Sequence, residues 1–82
     1  MKEEIIKLVG DSLSSLNMKI DDVIYRKENG NNNLEIVLDS DDVIDIDKVV
    51  EATKIIDPII EKSDIIKEKY ILDIYGKSKG DE

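Results

Sequence analysis

Positions 39–47 contain five aspartates and no lysine or arginine. They are Asp39, Asp41, Asp42, Asp45 and Asp47. Carboxylates at this density are typical of hard-cation sites, because calcium takes roughly six to eight oxygen ligands. The spacing fails for an EF-hand loop that begins at Asp39, since Ile44 stands where glycine is required and Val50 where the bidentate glutamate belongs. We therefore predict a solvated, cap-forming acidic segment that binds no metal.

Other catalytic chemistry has little support in the chain. Histidine and cysteine are absent, which removes the common general bases and thiol nucleophiles, and disulfides as well. Gly76-Lys77-Ser78 resembles the end of a phosphate-binding loop, but no glycine lies five residues before Gly76 and no helix follows. The prediction is a protein that is not an enzyme and has no cofactor.

The charge balance indicates what kind of partner to expect. A formal net charge of -8 disfavours unaided nucleic-acid binding, because that affinity comes largely from cations that displace phosphate counterions. No sequence-specific contact with nucleic acid is therefore expected, and a basic partner fits better. The charge could also serve solubility alone. With no signal-peptide pattern and no apolar run long enough for a membrane, we expect a soluble cytoplasmic protein.

Residues 45–63 carry the longest helical pattern, with apolar residues at intervals of three and four. The apolar face comprises Ile46, Val49, Val50, Ala52, Ile56, Ile59 and Ile60. Asp45 is predicted to be the N-cap, with Ile44 packed on Val49. Pro58 removes a backbone donor inside the helix, so we expect a kink near it or a helix that breaks and resumes.

The remaining patterns predict a helix over residues 2–16, strands over 18–27, 34–39 and 70–75, and a six-residue loop over 28–33. Asn17 fits the left-handed position that ends the first helix. Leu34, Ile36 and Leu38 should face the core. The fold class is thus α+β: a two-layer sandwich of order α-β-β-α-β, with two helices on one face of a three-stranded sheet. Residues 1–76 form one domain, and 77–82 a disordered polar tail.

The opposite face of this sheet would be unusually apolar. Its expected apolar residues are Ile24, Val37, Ile71 and Tyr75. Such a patch is typical of a docking or self-association surface, and the chain would then be a monomer or a weak dimer. The alternative is that these side chains are scattered and screened by the stems of neighbouring lysines and glutamates.

With the elements placed, the chain resembles the N-terminal domain of the RimP family of bacterial ribosome maturation factors. The similarity lies in Leu8–Asn17 and Asp22–Tyr25, in the strand Leu34–Asp39, in the helix start Ile44–Asp47 and in the strand Tyr70–Ile74. The family continues with Ser-Ser-Pro-Gly into an SH3-like barrel, whereas this chain reads Tyr75-Gly76-Lys77-Ser78. We therefore expect a truncated or divergent member, or a single domain, that lacks the C-terminal barrel.

The resemblance implies a non-enzymatic module that associates with the small (30S) ribosomal subunit during its assembly, close to the basic ribosomal protein uS12. The acidic composition agrees with such a partner. The alternative is a stand-alone acidic domain for protein interaction or self-association. The predicted partner-binding residues are acidic ones in the segment above and apolar ones on the outer sheet face: Asp39, Asp41, Asp42, Asp45, Val37, Ile71 and Tyr75.

Overall fold

The computed structural model describes residues 2–77 and shows two helices and three strands in the predicted order. They are α1 (Lys2–Ser14), β1 (Met18–Glu28), β2 (Asn31–Ser40), α2 (Ile46–Ser63) and β3 (Ile71–Gly76). The predicted α+β fold class is confirmed. The predicted tail begins at Lys77, whose backbone N–H donates to the Leu38 carbonyl at 2.6 Å. The rest of that tail, residues 78–82, lies outside the described residues.

The sheet has the strand order β1-β2-β3, with β2 in the centre. β1 and β2 are antiparallel, and their register shifts between Ile20 and Asp22. β2 and β3 are parallel. A parallel pair cannot be joined by a tight turn, so α2 serves as the crossover between them.

The predicted six-residue hairpin loop is wrong, because the strands continue to a two-residue turn. Glu28 pairs with Asn31, which leaves only Asn29 and Gly30 in the turn. Both have positive φ, 50° and 80°. Two successive residues of positive φ form the Asn-Gly turn whose twist matches that of a hairpin. Asn31–Asn33 therefore belongs to β2 despite its loop-like composition.

Helix α2 begins as the sequence predicts. Asp45 is its N-cap, in an extended conformation, and the carboxylate accepts a hydrogen bond from the Lys48 backbone N–H at 3.0 Å. The helix ends at Ser63 and is capped by Asp64, whose backbone is left-handed. It is continuous through Pro58, so the expectation of a broken helix is wrong. Pro58 and Lys54 are both exposed, so water can reach the Lys54 carbonyl, which has lost its helical donor.

The core is aliphatic and lies between the sheet and the two helices. Its fully buried members come from α1, β2 and α2: Ile5, Val9, Leu13, Leu34, Ile36, Leu38, Ala52 and Ile56. On α1 the buried residues are Ile5, Val9 and Leu13. On α2 the predicted face is too wide, since Ile46 and Val50 are 78% and 46% exposed. No helix among residues 2–77 has the length and apolar character to cross a membrane.

Tyr70 places an unsatisfied polar group at the edge of this core. Its ring is half-buried and packs against the core, while its hydroxyl oxygen is buried without a hydrogen-bond partner among residues 2–77. Burial raises the pKa of the Tyr70 hydroxyl, and the nearby carboxylates of Asp57 and Glu61 raise it further. The hydroxyl therefore gives up water without gaining a partner, which disfavours the folded state.

We expect Tyr70→Phe to raise the free energy of unfolding by about 1 kcal/mol at neutral pH, because it removes an unsatisfied buried group. Since the pKa of Tyr70 is raised by folding, the unfolded chain loses this proton first. Stability should therefore fall as the pH rises above about 10, and less steeply in the Phe variant. Urea denaturation across alkaline pH measures both effects. A less stable Tyr70→Phe protein would contradict this account.

Candidate partner-binding surfaces

The acidic segment connects β2 to α2, and a small polar network holds its start against the turn that follows α1. The buried Ser40 hydroxyl donates to the Asn17 carbonyl at 2.7 Å and accepts from the Asp42 backbone N–H at 3.1 Å. The Asn17 amide donates to the Asp42 carboxylate at 2.9 Å. Asn17 adopts the predicted left-handed conformation, with φ of 58°. The segment is thus a fixed corner of the fold.

The five aspartates have different local roles. Asp39 accepts from the Ser40 backbone N–H at 2.9 Å and is half-buried. Asp45 caps α2 and Asp47 lies in its first turn, where negative charge is favourable. The Asp41 carboxylate is exposed and makes no hydrogen bond or ion pair within residues 2–77. Asp41 is therefore exposed and unengaged within the described residues, whereas Asp42 is exposed and accepts one hydrogen bond from Asn17. No group of three or more potential metal ligands occurs in the described part of the chain.

The outer sheet face carries the predicted apolar residues, but a row of interacting polar side chains also crosses it. The Tyr75 hydroxyl donates to one carboxylate oxygen of Glu35 at 3.0 Å, and Arg26 lies 3.6 Å from the other. These contacts tie β3, β2 and β1 together. Accepting this hydrogen bond, Glu35 raises the pKa of the Tyr75 hydroxyl. The face therefore has an ordered polar centre.

The predicted outer-face residues differ widely in accessibility. Val37 pairs in register with Tyr75 and is only 8% exposed. Tyr75 and Ile71 are 37% and 56% exposed, and Ile24 is half-buried. Ile71 lies four residues from Tyr75, about 13 Å along the strand. The apolar surface available to a partner is thus reduced to two separate side chains on β3.

The structure brings most of the predicted partner-binding residues together at one end of β2 and leaves Ile71 apart. Asp39 lies at the end of β2 on the same face as Val37, and Asp41, Asp42 and Asp45 follow in the connection. Ile71 stands apart, paired with Asn33. Whether these residues bind a partner stays a prediction.

Sequence reasoning missed a third feature beside the acidic segment. Val43 and Ile46 are 83% and 78% exposed, more than any other large apolar residue of the described region. At 100° per residue, Ile46 lies about 80° and Val50 about 120° from Ile56, the centre of the buried face. That offset was available in the sequence and could have identified both as surface residues.

Asp45→Ala should lower the free energy of unfolding by about 1 kcal/mol, because the cap of α2 is lost. Asp45→Asn is the matched control, since asparagine caps a helix nearly as well without the charge. Urea denaturation followed by circular dichroism measures both variants. Equal destabilisation by Ala and Asn would show that the charge, and not the cap, is what matters.

The sequence of this fold matches a known protein family. The profile of the RimP N-terminal domain family matches residues 8–76, from the second turn of α1 to the end of β3. No curated protein matches the chain. The match spans every strand of the sheet and the whole acidic segment. The chain belongs to the RimP N-terminal domain family, a family of ribosome maturation factors.

Proposed function

We propose that this domain associates with the small ribosomal subunit during its maturation and that the acidic segment contacts a basic protein surface there. The observation that carries the proposal is the family match over residues 8–76. The exposed carboxylates of Asp41 and Asp42 supply charge complementary to such a surface. The ribosomal protein uS12, which the family resemblance implies, is the candidate partner.

The charge distribution supports a protein contact and not an RNA contact. The formal net charge is -8, and phosphates would be repelled by it. Complementary charge mainly raises the rate of encounter and selects among partners. The acidic corner can therefore act as the steering element of the domain.

A second candidate function is self-association through the outer sheet face. The observation in its favour is that no helix of the described region covers this face and that Ile71 and Tyr75 remain accessible on the edge strand β3. Edge strands offer unpaired backbone groups to another chain. The row of polar side chains through Glu35 limits the apolar area, so we rank this function second.

Co-sedimentation of the domain with purified small subunits tests the first proposal. We expect saturable binding to small subunits and none to assembled 70S ribosomes, with a denatured sample as the negative control. Absence of binding at low salt, with folding confirmed by circular dichroism, would refute association by this domain.

Asp41→Asn with Asp42→Asn should slow association with the small subunit roughly threefold to tenfold at low salt and flatten its salt dependence. Asparagine retains an oxygen that can accept from Asn17, so the corner is preserved. Glu3→Gln with Glu28→Gln removes the same charge from exposed positions outside the acidic segment and is the control. Equal slowing by both pairs would assign the effect to net charge alone.

Tyr75→Lys should disrupt any dimer, because it removes an accessible ring and places a charge beside the edge strand. Sedimentation equilibrium of the wild type and variant measures the effect. Asn31→Lys, which adds the same charge next to the hairpin turn, is the control. A dimer that survives Tyr75→Lys would rule out this face as its interface.

A further inference from the structure

Three exposed aliphatic side chains follow one another from the middle of the acidic segment into the first turns of α2. They are Val43, Ile46 and Val50, and we call them the apolar ridge. Their exposed fractions are 83%, 78% and 46%. Ile46 and Val50 are four residues apart, so they lie one above the other on the helix surface. Single exposed apolar residues are ordinary, but Ile46 and Val50 share one helix face, and Val43 lies three residues before Ile46 in the chain.

The fold does not account for the apolar ridge. The buried side of α2 is formed by Ala52, Ile56 and Ile60, and Val49 is packed against the core beside them. Ile46 and Val50 lie well outside that sector. Isoleucine and valine are also poorer helix formers than lysine, glutamate or alanine, because they lose side-chain freedom in a helix. A role outside folding would explain their presence.

Carboxylates outnumber cations around the apolar ridge, where Lys48 and Lys54 are the basic side chains. Positions 39–51 hold six acidic residues and a single basic one, Lys48. Asp42, Asp45, Asp47 and Glu51 are all exposed. Lys48 is half-buried. A ligand that covers the apolar ridge would therefore meet negative charge on its rim.

We propose that the apolar ridge is the anchor of a docking site for a basic polypeptide segment that carries aliphatic or aromatic side chains between its lysines and arginines. This deepens the proposed function and rests on it for the source of the segment, a protein of the small subunit. RNA does not fit, since its phosphates would face the acidic rim. The carboxylates steer the segment in, and burial of the aliphatic side chains holds it.

The two contributions have different kinetic effects. Surface charges act mainly on the association rate and its salt dependence, whereas buried apolar contacts act mainly on the dissociation rate. Loss of one or two buried aliphatic side chains should therefore raise the dissociation rate about tenfold or more. The salt dependence of association should stay unchanged.

The variant Ile46→Ser with Val50→Ser tests the anchor. Serine has a helix propensity close to that of isoleucine and valine, and both positions are exposed, so the fold should be retained. Leu8→Ser, on the surface of α1 and 39% exposed, is the matched control. Dissociation from immobilised small subunits is measured by biolayer interferometry, with circular dichroism to confirm folding.

Faster dissociation of the double variant, with Leu8→Ser unchanged, is the expected result. If the wild type binds subunits and the double variant dissociates no faster than Leu8→Ser, the anchor is refuted while the proposed function stands. A wild type that does not bind subunits would refute the proposed function instead.

A peptide titration tests the anchor even if the wild type does not bind subunits. A short synthetic peptide of leucine and lysine is titrated into isotope-labelled protein and followed by amide NMR. We expect shifts confined to residues 43–51, which vanish with Ile46→Ser and Val50→Ser and with a peptide in which serine replaces leucine. No shifts there, or equal shifts with the serine peptide, would overturn the docking site.

Discussion

The structure depends on the double pairing of β2. This strand bonds to an antiparallel neighbour on one side and a parallel neighbour on the other, and both registers turn the same residues toward the helices. Leu34, Ile36 and Leu38 are fully buried there. A slip of one residue would bring Glu35 and Val37 into the core, because side chains alternate between faces. The position of every other element therefore follows from the register of β2.

The same constraint determines where the charge lies. β2 ends at Ser40, whose buried hydroxyl donates to the Asn17 carbonyl in the turn after α1, and Asp45 then caps the start of α2. Residues 41–45 connect a strand to a helix. They therefore need side chains that cap the helix and hydrogen-bond to the neighbouring turn. Aspartate meets that need, and it adds negative charge at one corner of the domain. Fold and surface chemistry are thus carried by the same residues.

Sequence patterns were sufficient to predict the features that local periodicity determines. They predicted the element order, the cap at Asp45, the left-handed Asn17 and the buried face of β2. They failed where strand pairing or solvent exposure, and not composition, decides the structure. Asn31–Asn33 has the composition of a loop, yet pairing with β1 draws it into the strand. Pro58 did not break α2, because it sits on the solvent side.

The candidate site was predictable only in part, for the same reason. The density of aspartates was visible in the sequence, but their unequal accessibility depends on Ser40 and on Asn17, twenty-five positions before Asp42. The accessibility of Val37 likewise depends on its register partners on β1 and β3. The exposure of Ile46 could have been found from its angle on the helix, had the buried face been centred on Ile56.

The parallel pairing of β3 has a consequence for the order in which the chain folds. The hairpin of β1 and β2 closes through two residues, so little chain entropy is lost before its contacts form. β3 can pair with β2 only after residues 41–70 have been brought into place, α2 included. Contacts between residues distant in sequence form slowly. We therefore expect the hairpin to belong to the folding nucleus and β3 to be the last strand to dock, and hence the first to open in the native state.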